Sequence, residues 1–145
     1  MNRQASLALF ERDIRSLPSK LLEARGWSMV ASEFPRLDVA FRRDGRIPML
    51  LRLNCEDWNS RPPSMAVLAE SGGPLTRFPT GGGGQFHSLA HPVTRVPFIC
   101  MPGSLEYHIH PSHTVDSWDN YRDRPGYDLG GLVTQVWRAW LKVAP

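Results

Sequence analysis

The residue pattern predicts an α+β domain with helices laid against one antiparallel sheet, and three observations carry that prediction. Near the N-terminus Leu7, Phe10, Ile14 and Leu17 recur at three- and four-residue steps, the period of one helical face. In the middle, Leu37, Val39 and Phe41, then Ile47, Met49, Leu51 and Leu53, alternate as half-buried strands do. Near the C-terminus Leu129, Leu132, Val133, Val136, Trp140 and Leu141 fall again on one helical face.

Each element has local support. The apolar period places the first helix at about residues 4 to 17, with Arg12 and Arg15 off the stripe as a basic outer face. Pro18 limits that helix, and the apolar pair Leu21 and Leu22 precedes Gly26, a stop signal. Asp44-Gly45 between the alternating runs signals a tight hairpin. Arg61-Pro62-Pro63 breaks the chain, and Ser64 to Glu70 reads as the next strand of a meander. From Ser71 to Gly84 the chain is rich in Gly, Pro and Thr. It lacks the Gly-Lys-Ser/Thr ending of a phosphate loop and reads as a surface loop. Asp128 is placed to cap the last helix, and Trp137 and Trp140 to pack it.

The bulk numbers exclude several function classes. A chain of 145 residues is expected to form a single domain, 1–145, with one sizeable core. Its hydrophobic share of 41% and charged share of 21% are ordinary for a soluble globular protein. No stretch has the length and apolarity of a membrane span or the pattern of a signal peptide, so the expected compartment is the cytoplasm. Cys55 and Cys100 cannot build a disulfide framework and are expected as thiols. The formal net charge of +3 is mild, and the 17 Lys+Arg are spread along the chain without an aromatic-interleaved basic run. Neither a nucleic-acid groove nor a membrane surface is predicted.

The chemistry concentrates between Arg95 and His113, in "RVPFICMPGSLEYHIHPSH". An apolar run ends in Cys100, and Glu106, His108, His110 and His113 follow closely. A thiolate is a strong nucleophile and a good leaving group, so Cys100 is a candidate acyl carrier. The bland alternative is a small buried hydrophobe, the common fate of a free cysteine and the one expected of Cys55. If the histidine stretch is extended, His108 and His110 point to one side, and Cys100 or Glu106 would complete a zinc set. Solvated loop histidines are the alternative to that.

With its elements in this order the chain resembles ubiquitin-conjugating enzymes. An amphipathic helix precedes a meander, and "DWNSRPPSMAVL" resembles the family's Pro-Pro segment leading into the third strand. His91-Pro92-Val93 resembles its His-Pro-Asn motif, with "FIC" following at about the family's distance. "YDLGGLVTQVWRAWL" resembles the helix after the active site. The likeness is closest to bacterial versions found in ubiquitin-like conjugation systems, some of them antiviral. Three departures stand out. Val93 replaces the asparagine credited with supporting transfer, the segment from Cys100 to Tyr127 is longer, and one C-terminal helix stands where full-length members have three.

The resemblance implies that Cys100 accepts a ubiquitin-like protein from an activating enzyme and passes it to an amine on a target protein, with no soluble cofactor at that step. It makes Cys100 the nucleophile, with His108 or His110 replacing the missing asparagine, and Asp116, Asp119 and Asn120 as alternates to them, although turn capping is the plainer reading of Asp119 and Asn120. His91 and Pro92 become a structural motif, His87 a loop residue, and Arg12 and Arg15 the face for the activating enzyme. Trp118 and Tyr121 are expected to anchor the inserted loop. A bacterial branch of the fold has been predicted to bind metal through a Cys-Glu-His-His set, which here would be Cys100, Glu106, His108 and His110, with zinc as cofactor. A non-catalytic adaptor for a ubiquitin-like protein is the third reading.

Overall fold

The computed structural model describes residues 2–81 and 83–143, so Gly82 of the glycine run lies outside the described residues. Helix α1 spans Arg3–Arg15, capped by Asn2, whose side-chain oxygen accepts from Ala5 N at 2.8 Å. Arg12 and Arg15 occupy its last turn, where cations suit the helix dipole. A short α2, Ser19–Arg25, starts after Pro18 and stops at Gly26, which adopts φ 71°. A Cβ there would sit 2.3 Å from the Arg42 carbonyl oxygen, so only glycine fits both the turn and the close approach.

Four strands follow as an antiparallel meander in the order β1-β2-β3-β4: Trp27–Glu33, Arg36–Phe41, Met49–Asn54 and Ser64–Ala69. Strand β1 was not foreseen in the residue pattern. It is an edge strand, mostly half-exposed, and its pairing with β2 shifts register between Met29 and Ala31, which scrambles any clean alternation. The Asp44-Gly45 turn forms, with Arg46 N donating to Arg43 O at 3.0 Å, but it is not a two-residue hairpin. Only Gly45 has positive φ, and pairing resumes at Met49, leaving Ile47 60% exposed outside the strand.

Leu37, Val39, Phe41, Leu51 and Leu53 on one face of the sheet are fully buried. They pack in a continuous cluster with Phe10 of α1 and with Leu129, Leu132, Val133, Val136 and Trp140 of α4, Leu129–Lys142. Each fully buried aliphatic side chain of this kind contributes roughly 1.5–3 kcal/mol. Asp128 caps α4, accepting from Gly131 N at 2.7 Å.

One buried carboxylate ties the layers together. Asp13 of α1 accepts from the Trp58 indole N–H at 3.0 Å and from Leu129 N, at the start of α4, at 3.2 Å. Arg12 donates to its other oxygen at 3.0 and 3.1 Å. The apolar stripe of the sequence therefore runs beside, not along, the buried face. Asp13 is 3% exposed, whereas Leu7 and Ile14 are only half-buried.

Beyond β4 the chain has little regular structure. Strands β5, Phe86–His87, and β6, Phe98–Ile99, form a two-residue ladder, then a four-residue helix α3, Leu105–His108, and a 3-10 turn at Trp118–Asn120 precede α4. Among the described residues no helix is long and apolar enough to cross a membrane.

Candidate functional site

Cys100 follows β6 directly, and its N–H continues the ladder by donating to Gln85 O at 2.7 Å. The residue is half-buried, in contrast to Cys55, which is 1% exposed within the core. Burial pushes both thiols up from their ordinary value, and for Cys55 the negative charge of Asp13 adds to it. Cys55 thus has neither access nor acidity.

The imidazole nearest the candidate nucleophile belongs to His113, whose Nε2 lies 3.8 Å from Cys100 Sγ. His113 stacks on Tyr107, with ring centroids 4.1 Å apart and planes 14° from parallel. Nothing in the spacing of the sequence distinguished His113 from its neighbours. Its approach depends on how the chain turns back after α3.

The segment expected to be extended is a helical turn. Ser104 caps α3 by accepting from Tyr107 N at 3.1 Å, while its hydroxyl donates to Ile99 O at 2.8 Å. His108 and His110 therefore do not share one side. His108 Nε2 accepts from Gly103 N at 3.0 Å, and Nδ1 donates to Asp116 O at 2.8 Å, which fixes the neutral Nδ1–H tautomer. Burial lowers the proton affinity of His108 further. His110 uses Nδ1 to accept from Ser112 N at 3.1 Å. Its ring stacks on Phe98 and lies 5.3 Å from His91 and 5.7 Å from His113. Desolvation and the neighbouring imidazoles of His91, His113 and His87 lower its affinity for a proton.

Glu106 is buried, and its carboxylate is committed to strand β4. Its two oxygens accept from the Ser64 hydroxyl at 2.6 Å and from Met65 N at 2.9 Å, hooking α3 onto strand β4. Its backbone carbonyl accepts from His91 Nε2 at 2.8 Å, and His91 Nδ1 accepts from Val93 N and Thr94 N. His91 is completely buried and fixes the turn that carries the exposed Pro92 and Val93. The set Cys100, Glu106, His108 and His110 is not assembled around one point, because Glu106 and His108 spend their ligand atoms on separate partners. Among the described residues no group of three or more His, Cys, Asp or Glu is placed to hold a metal ion.

The remaining residues frame this centre. Trp118 is buried, its indole N–H donating to Asn59 O at 2.8 Å, and Tyr121 bonds Asp116. Asp119 and Asn120 lie exposed in the 3-10 turn that Ser117 caps. His87 stacks on Phe98 at 5.0 Å. All five histidines of the chain therefore gather in one neighbourhood, bridged by Phe98 and Tyr107. Arg15 is exposed, and Arg12 lines an open cleft of about 360 Å³ with Arg122 and Arg124. No family model matches the chain, and no curated protein matches it.

Proposed function

We propose that this chain is an acyl carrier of the ubiquitin-conjugating type, accepting a ubiquitin-like protein on Cys100 from an activating enzyme and delivering it to a target amine. The observation that carries this reading is the 3.8 Å approach of His113 Nε2 to the sulfur of the half-buried Cys100. The element order supports it: helix, four-stranded meander, cysteine-bearing segment, helix.

In this reading His113 Nε2 takes the Cys100 thiol proton, which matters because burial otherwise keeps the thiol protonated. The thiolate attacks the thioester carbonyl presented by the activating enzyme and expels that enzyme's thiolate, which takes the proton from the His113 imidazolium and leaves the imidazole neutral. In the second step a target amine attacks the Cys100 thioester, the Cys100 thiolate departs, and the amine proton passes to the imidazole. His113 takes the acid–base role instead of His108 and His110, since its Nε2 is the imidazole nitrogen in contact with the Cys100 sulfur and His108 has both ring nitrogens committed. It also stands in for the asparagine that Val93 displaces. Arg12 and Arg15 supply the basic end of α1 for the activating enzyme, acting mainly on encounter rate, with Arg122 and Arg124 beside Arg12 in a cleft that Asp123 and Asp128 also line.

The test is incubation with ATP, the activating enzyme and the ubiquitin-like protein. A reductant-cleavable adduct should form on the wild type and on Cys55→Ala, and be lost in Cys100→Ala. Cys100→Ser should give no adduct or a slow oxyester that resists reductant. A reductant-sensitive adduct persisting on folded Cys100→Ala overturns the assignment.

A further inference from the structure

Side-chain bonds that converge on Asp116 hold the chain between Gly103 and Tyr121. The Tyr107 hydroxyl donates to Asp116 Oδ2 at 2.6 Å, and the Tyr121 hydroxyl donates to the same oxygen at 2.7 Å. The backbone carbonyl of Asp116 receives the His108 Nδ1 proton. Phenol bonds to a carboxylate at these lengths are of the charge-assisted, stronger kind. They hold the Asp116 carboxyl below its usual range and push both phenols up, so the bracket persists across the neutral range.

Tyr107 has a second contact of a different sort. Its free ring face carries the His113 imidazole in a close parallel stack. A stack fixes the plane and height of the imidazole, so the reach of Nε2 to the Cys100 sulfur depends on where the Tyr107 ring lies. That ring is set by the phenol bond to Asp116.

We infer that Tyr107 and Asp116 are positioning residues for the Cys100–His113 pair, with Asp116 fixing the Tyr107 phenol and the Tyr107 ring holding the imidazole within reach of the thiol. The use of the pair in acyl transfer rests on the function proposed above, whereas the positioning itself is measurable without any partner protein. The groups facing His113 are Cys100, Tyr107, His108 and His110, and of these only Tyr107 lies flat against its ring.

The experiment is the rate of Cys100 alkylation by iodoacetamide against pH, resolved from Cys55 by peptide mass spectrometry. His113→Gln should slow alkylation near neutral pH by about tenfold and move its pH profile upward, less than a full general base contributes in catalysis. Tyr107→Leu should approach that loss, while Tyr107→Phe, which keeps volume and removes only the bond, should slow it about threefold, and Asp116→Asn, which leaves weaker neutral bonds, should slow it somewhat less. In a His113→Gln background none of the three should slow it further, because they act through the imidazole. If Tyr107→Leu fails to fold, Tyr107→Phe and Asp116→Asn carry the test. Equal slowing with and without His113, or no slowing in natively folded variants, overturns the inference. Failure to load a ubiquitin-like protein with this coupling intact would instead sink the proposed function and leave the positioning standing.

Discussion

The meander β1–β4 and the segment from Phe98 to Tyr121 lie in one small molecule and are held by different forces. The sheet is a backbone ladder with a face of Leu37, Val39, Leu51 and Leu53, all fully buried, so its stability scales with area removed from water. The cysteine segment has a two-residue ladder and one helical turn. It is held instead by single polar contacts, among them Glu106 on Ser64 and Met65, His91 on the Glu106 carbonyl, and Asp116 on two phenols. A region of the first kind tolerates shape changes that preserve volume. A region of the second kind tolerates almost any surface change but not the loss of one acceptor.

Four measurements would break or sharpen that contrast. The largest effect is expected in the sheet, where Leu51→Ala should cost about 2–5 kcal/mol in denaturant unfolding, while alkylation of Cys100 in the folded fraction stays near the wild-type rate. Asp13→Ala comes next. It removes a buried acceptor shared by Trp58 and Leu129, at a cost of about 1–3 kcal/mol, and should loosen α4 as read by amide exchange. Asp116→Asn should cost under about 1 kcal/mol, because its carboxylate is partly solvated and two weaker bonds survive, yet it should alter Cys100 reactivity more than Leu51→Ala does.

The smallest effect concerns pH. His108 and His110 have folded-state proton affinities below the ordinary value, so the unfolded chain binds more protons once the pH nears about 6.5. Their contribution is present above that pH and is lost as the pH falls through it. The thermal midpoint should therefore decline on acidification from neutral. His108→Asn should flatten the decline, and Leu51→Ala should lower the curve without changing its slope. An unchanged slope in His108→Asn would remove burial of the neutral imidazole as its cause.

The same contrast explains what the sequence revealed. Helix α4 with its Asp128 cap, the stop at Gly26 and strands β2 to β4 were legible because period, cap and glycine are local signals written in consecutive residues. Ile47 misled only at the margin, continuing an alternation that the ladder does not. Strand β1 was invisible because its register shift at Met29 destroys the period. The site was legible in part: Cys100 stood out by residue type, and the histidines by density. Which histidine meets the sulfur is a matter of how α3 and the turns after it fold back, and no spacing rule encodes that. Asp13 escaped, and Glu106 was read as a metal ligand and not as a tie to β4, for a related reason. A carboxylate with buried partners far along the chain, at Leu129 or at Met65, looks in sequence like any surface acid.

The hook that Glu106 throws onto Met65 also governs how the molecule meets other copies of itself. Strand β4 is one rim of the sheet, and a rim with unoccupied amides is a template for intermolecular pairing. Here the Met65 amide is occupied by the carboxylate and the Ala69 amide by the Gly73 carbonyl at 2.9 Å, while the opposite rim, β1, is bent by its register shift. Both rims are thus blunted, one by plugging and one by distortion. Losing Glu106 would leave a buried backbone donor without its acceptor on the rim beside the half-buried Val67 and Leu68, so its damage would be read in solubility and fibril formation as well as in the melting curve.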